Sequence, residues 1–322
     1  QLADTVQNQI SRARSTGDPR FLGYADGILQ RWPGEMTDRL LTLRATLDQS
    51  LHRFDSARND LETVIARSGS ALQINQALLL LANLETVQGN YEDARKRCRQ
   101  LQQSYPGLIA DSCTAQVNAR TGNPRAAYQA LQKKSESTST NTTSRLWAEG
   151  TLGDIAAQMG NPAAADHWQT ILRTSPDDLY TRAQLADWYL GRNQNDKVLA
   201  LTDGYEQVDS LAVIRAIAMA ESGHPNAETL AESLRERFAE ARWRGNLLHQ
   251  RDMARFQLDV EGDADTALTF AADNWRSQRE PLDTRLLLRA ARAANDAQPA
   301  QKVRTWLEKH GQSDARYPEA DS

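Results

Sequence analysis

Residues that stop helices recur along this chain at a nearly constant interval. They are Gly17, His52, Gly89, Gly122, Gly160, Asn193, Gly223, Gly262 and Asn295, separated by 30 to 39 residues with a mean near 35. Eight of the nine are Gly or Asn, which accept the left-handed backbone that ends a helix. The stretches between them are rich in Ala, Leu, Arg, Gln, Glu and Asp, and period-two alternation of Val, Ile and Thr is almost absent. That composition favours helix over strand. Each interval therefore holds two short helices and a turn. A single hairpin of that size cannot hide its apolar face, so hairpins must stack on their neighbours. The expected fold is all-α, an α-α superhelix built as a solenoid of about nine helical hairpins.

The chemistry after several stops repeats. Gly89-Asn90-Tyr91 is followed by Ala94, Gly122-Asn123-Pro124 by Ala127, Gly160-Asn161-Pro162 by Ala165, and Gly262-Asp263-Ala264 by Ala267. The Asn or Asp is expected to cap the second helix, Pro fits its first turn, and the small Ala lets the two helices approach. One unit carries Leu78, Leu81-Ala82, Gly89, Tyr91, Ala94, Leu101 and Pro106; another carries Leu152-Gly153, Gly160, Ala165 and Pro176. This pattern resembles the tetratricopeptide repeat family. The first, seventh and ninth units fit it poorly, and a longer helix around residues 226–247 is expected to intrude at the seventh. Three stretches follow: helical repeats over 1–132, a flexible Ser/Thr-rich loop over 133–144, and helical repeats over 145–322. Asn141-Thr142-Thr143 fits a glycosylation acceptor, though such triplets arise often by chance.

In the family it resembles, peptide ligands commonly lie on the concave side, lined by the first helix of each hairpin. The positions expected there are Gln76, Asn83, Gln116, Arg120, Trp147, Asp154, Tyr180 and Asp187, flanked by Arg39, Thr42, Thr46, Gln49, His249, Asp252 and Phe256. Their amides suit a peptide backbone, and Trp147 and Tyr180 suit side-chain anchors. These positions form no dense Lys/Arg clamp, which argues against capture of an acidic carboxylate terminus.

Other functions find little support. Net charge is −4, so no overall field favours nucleic acid. The basic clusters Arg95-Lys96-Arg97 with Arg99, and Arg235, Arg237, Arg242 and Arg244, read as solvated helix faces. No apolar run approaches the ~18 residues of a membrane span. The five histidines form no HExxH, and no P-loop, GxGxxG or GxSxG is present. Glu261, Asp263 and Asp265 loosely suggest a calcium loop but lack its further ligands; helix capping by Asp263 accounts for them better. No enzyme activity, metal or cofactor is expected.

Cys98 and Cys113 flank the turn at Tyr105-Pro106-Gly107 at similar distances. Two readings stay open: a disulfide across an antiparallel helix pair, or two small core residues. The bond would imply an oxidising compartment. The chain begins at Gln1 rather than Met, read as removal of something upstream such as an export signal. The expectation is a bacterial, non-enzymatic scaffold, exported to the periplasm or alternatively cytoplasmic. It would bind a protein or peptide segment, with no nucleic acid and no membrane insertion, as a monomer or weak homo-oligomer. The alternative function is a structural or assembly module acting through its outer surface or by self-association.

Overall fold

The computed structural model describes residues 1–137, 141–244 and 248–319. Two compact units divide the chain, Gln1–Leu152 and Gly153–Ser322. The first holds hairpins α1 (Leu2–Thr16) with α2 (Arg20–Gln30), α3 (Asp38–Ser50) with α4 (Phe54–Arg67), α5 (Ala71–Gln88) with α6 (Tyr91–Ser104), and α7 (Leu108–Arg120) with α8 (Pro124–Ser137). The boundary falls within α9 (Thr142–Gln158). The second unit continues with α10 (Ala163–Thr174), α11 (Leu179–Leu190) with α12 (Asn195–Thr202), and α13 (Asp209–Glu221) with α14 (Ala227–Trp243). It ends with α15 (Gln250–Phe256), which runs on as a π-helical turn (Gln257–Glu261) and pairs with α16 (Ala264–Trp275), and with α17 (Pro281–Ala293) beside α18 (Ala297–His310). No strand occurs among the described residues.

Within each unit the first helices touch in succession: α1, α3, α5 and α7 in one, α11, α13, α15 and α17 in the other. Second helices pack back onto the next first helix, as α4 does on α5 and α16 on α17. The fold is thus all-α, an array of helical hairpins. Its cores bridge consecutive hairpins. Leu41, Ala45, Phe54, Ala57, Leu61, Val64, Ala77, Leu81 and Leu84 form one cluster spanning α3, α4 and α5. Each fully buried Leu there contributes about 1.5–3 kcal/mol. Ion pairs fasten the same seams: Arg58 of α4 donates to Glu85 of α5 at 2.7 Å, and Arg97 of α6 to Glu62 of α4 at 3.1 Å.

All nine expected stops have left-handed backbone. Among the described residues the only non-glycine positive φ angles are those of His52 (56°), Asn193 (55°) and Asn295 (54°). The capping expectation holds for Asp263 and Asn161, which accept from the backbone N–H of Thr266 and Ala163 at 3.0 Å. It fails for Asn90: its amide turns back to Glu85, 2.7 Å away, because the buried carboxylate there needs a donor. The seventh hairpin turns at Gly223, and its second helix, α14, is the longer helix expected there: its 17 residues make it the longest second helix among the described residues. The helices also run into the Ser/Thr-rich stretch: α8 continues through Ser137 and α9 begins at Thr142, leaving residues 138–140 outside the described residues.

Two close approaches shape the units. Cys98 of α6 and Cys113 of α7 are disulfide-bonded, with Cα atoms 5.6 Å apart, so the turn at Pro106 does bring the thiols level. In the second unit, a Cβ at Gly153 would lie 2.6 Å from Nε1 of Trp168, which is 1% exposed. The absence of that Cβ lets the Trp168 indole press onto the α9 backbone.

Candidate functional site

All eight sequence-predicted groove residues lie on first helices. In the first unit Gln76 is exposed, Asn83 and Gln116 are half-buried, Arg120 is buried, and Trp147 is 39% exposed. In the second unit Asp154 and Tyr180 meet, the phenol donating to the carboxylate at 3.3 Å. Asp187 has a different environment. It is 3% exposed and receives Nη2 of Arg285 at 2.7 and 2.9 Å and Nη2 of Arg255 at 2.5 Å.

Asp187 sits in a ladder of alternating charge across three first helices. Arg289 and Arg285 come from α17, Arg255 from α15, and Asp187 from α11. Asp259 stands on the π turn, accepting from Arg289 at 2.5 and 3.1 Å with Arg255 Nε at 3.7 Å. The ladder holds three arginines against two aspartates. Burial would raise the Asp187 carboxyl, but Arg255 and Arg285, with Arg316 farther off, hold it well below the usual carboxylate range. Arg285 is lowered by burial and by the guanidinium groups of Arg255 and Arg316, against the pull of Asp187.

The segment after α18 completes this site. Residues 311–319 leave the helix at Gly311 and run non-helically across the end of α9. Gln158 holds them from both sides: its carbonyl accepts Ala315 N–H at 2.8 Å, and its side-chain amide donates to Ser313 O at 2.8 Å. The carbonyl is one of those a helix end leaves without an internal partner. Gly160 admits the segment, since a Cβ there would lie 3.0 Å from that of Ala315. Arg316 then grips Asp314 through two nitrogens at 2.6 and 2.8 Å.

Between the first helices and this segment lies a cavity of about 580 Å³, walled in part by Trp188, Arg192, Arg255, Arg285, Arg289 and Arg316. Arg192 lies flat on the Trp188 ring, 3.2 Å from its centroid. This gathering of arginines was not foreseen, because its members are spread over more than a hundred residues of sequence. The available signal was the four-residue spacing of Arg255 with Asp259 and of Arg285 with Arg289, which puts each pair on one helix face. The two basic clusters read as solvated faces also have partners, with Arg235 on Glu261 at 2.9 Å and Arg237 on Asp209 at 2.7 Å. No group of His, Cys, Asp and Glu suited to a metal occurs among the described residues, and none of their helices is long and apolar enough to cross a membrane. Neither a protein-family model nor a curated protein matches the sequence.

Proposed function

We propose that the chain is a non-enzymatic scaffold of the tetratricopeptide kind that holds an extended segment of another protein against its first helices. One observation carries the reading: the second unit already holds a non-helical segment of its own chain against a first helix. Residues 313–315 lie at the end of α9, held through their main chain by Gln158. Main-chain hydrogen bonding of this sort gives affinity for extended peptides of varied sequence. The first unit offers comparable amides on its own first helices, Gln76 on α5 exposed and Gln116 on α7 half-buried. The Cys98–Cys113 bond supports an oxidising compartment, in keeping with export to the periplasm.

The test is photo-cross-linking in source cells. A photoreactive residue at Gln76 or Gln116 should yield a discrete adduct with another protein, and one at exposed Lys96 on the second helix α6 should not. Adducts from Lys96 alone would overturn the groove and favour assembly through the outer face. An adduct with a second copy of the chain would place self-association first.

A further inference from the structure

We propose that the cavity flanked by Arg192, Arg285 and Arg316 binds a tetrahedral oxyanion, the phosphate group of a small molecule. This site is independent of the scaffold reading and stands whether or not a protein segment binds the first unit.

The charge balance comes first. The ladder from Arg289 to Arg285 ends in arginine on both sides and carries one positive charge in excess. Arg316 is balanced by Asp314. Arg192 adds a second uncompensated cation, having no carboxylate within 4 Å among the described residues and only Trp188 beneath it. Two surplus cations thus face one cavity of a chain whose net charge is −4. Glu221, exposed and accepting from Asn195 at 3.2 Å, also lines the cavity and offsets one of the two, which leaves a net surplus of one positive charge.

The donors come second. Arg285 spends a single nitrogen, Nη2, on Asp187. Arg316 spends Nε and Nη2 on Asp314 and keeps Nη1. Arg192 makes no side-chain hydrogen bond among the described residues; the indole fixes its plane while leaving its edge free. Guanidinium edges match the oxygens of phosphate, and burial of Asp187 fixes Arg285 in advance. These donors arrive from three places, the turn after α11, α17 and the 311–319 segment. A planar carboxylate offers two oxygens and one charge, whereas a phosphate offers oxygens in three directions and up to two charges. The volume, about 580 Å³, falls in the range of small-molecule sites and exceeds the need of a bare ion.

The experiment is calorimetric titration of the full chain with inorganic phosphate at low ionic strength, with sulfate as competitor and acetate as control. We expect saturable binding at one site, displaced by sulfate and not by acetate. Arg192→Gln should weaken it about tenfold or more. Because Arg192 forms no ion pair and stacks only on Trp188, its variant should keep the wild-type circular dichroism and lower the melting temperature by no more than a few degrees. Lys96→Gln, in the other unit, should leave binding unchanged. No phosphate heat, or equal weakening by Arg192→Gln and Lys96→Gln, would overturn the site. Competition by acetate as strong as that by sulfate would overturn the assignment to phosphate.

Discussion

Asp187 balances two buried guanidinium groups with one carboxylate. Asp187→Asn keeps the shape and removes the charge, leaving Arg285 without its anion and Arg255 with only the longer contact to Asp259, at 3.7 Å. We expect a loss of about 3–5 kcal/mol from the second unit, read as a lower denaturant midpoint. The same group gives a pH signature. Its folded-state pKa is depressed, so its contribution is complete above the ordinary carboxylate range and fades as pH falls below it. Stability of the wild type should therefore drop more steeply below about pH 4 than that of Asp187→Asn, measured by urea unfolding across the acid range. Gly153 shows a different dependence at the same scale. Gly153→Ala places a methyl carbon against the Trp168 indole and should cost about 1–3 kcal/mol, with a changed tryptophan emission as the structural readout.

At the scale of the helix, the turn residues explain why so much of the fold could be read from sequence. A helix end needs one residue at positive φ, and Gly, Asn and occasionally His are those that accept it, so each hairpin bend is visible as a letter. Gly89→Ala forces a Cβ into a φ of 78° and should cost about 1 kcal/mol. Asn295→Gly should change stability by less than about 0.5 kcal/mol, because relief of strain is offset by the added freedom of the unfolded glycine. Thermal melts of the two variants should differ in this order. The capping side chains were less legible, as Asn90 shows: a cap competes with any nearby buried carboxylate, and Glu85 becomes that competitor only once α5 and α6 have paired. The arginine-walled cavity was least legible. Asp187 and Arg285 are 98 residues apart, and their meeting depends on the stacking register of α11, α13, α15 and α17 rather than on any local motif.

Across the whole chain, stability is expected to follow its division into two compact units. Stacked hairpins draw their stability from neighbours, so each compact unit is expected to unfold with its own midpoint. The disulfide lies in the first unit alone and closes a loop of 15 residues, worth about 3 kcal/mol in the chain-entropy account. Scanning calorimetry with and without reductant should move one transition downward and leave the other in place; equal shifts of both would show a single cooperative block. The clasp of Gln158 on Ser313 joins residues 155 positions apart. On the ribosome, at roughly 5–20 residues per second, that carbonyl and amide wait many seconds for their partners to be made. The first unit can be finished early, while the nascent second unit keeps an open inner wall until nearly everything before residue 316 has emerged, the interval in which a chaperone would have the most to protect.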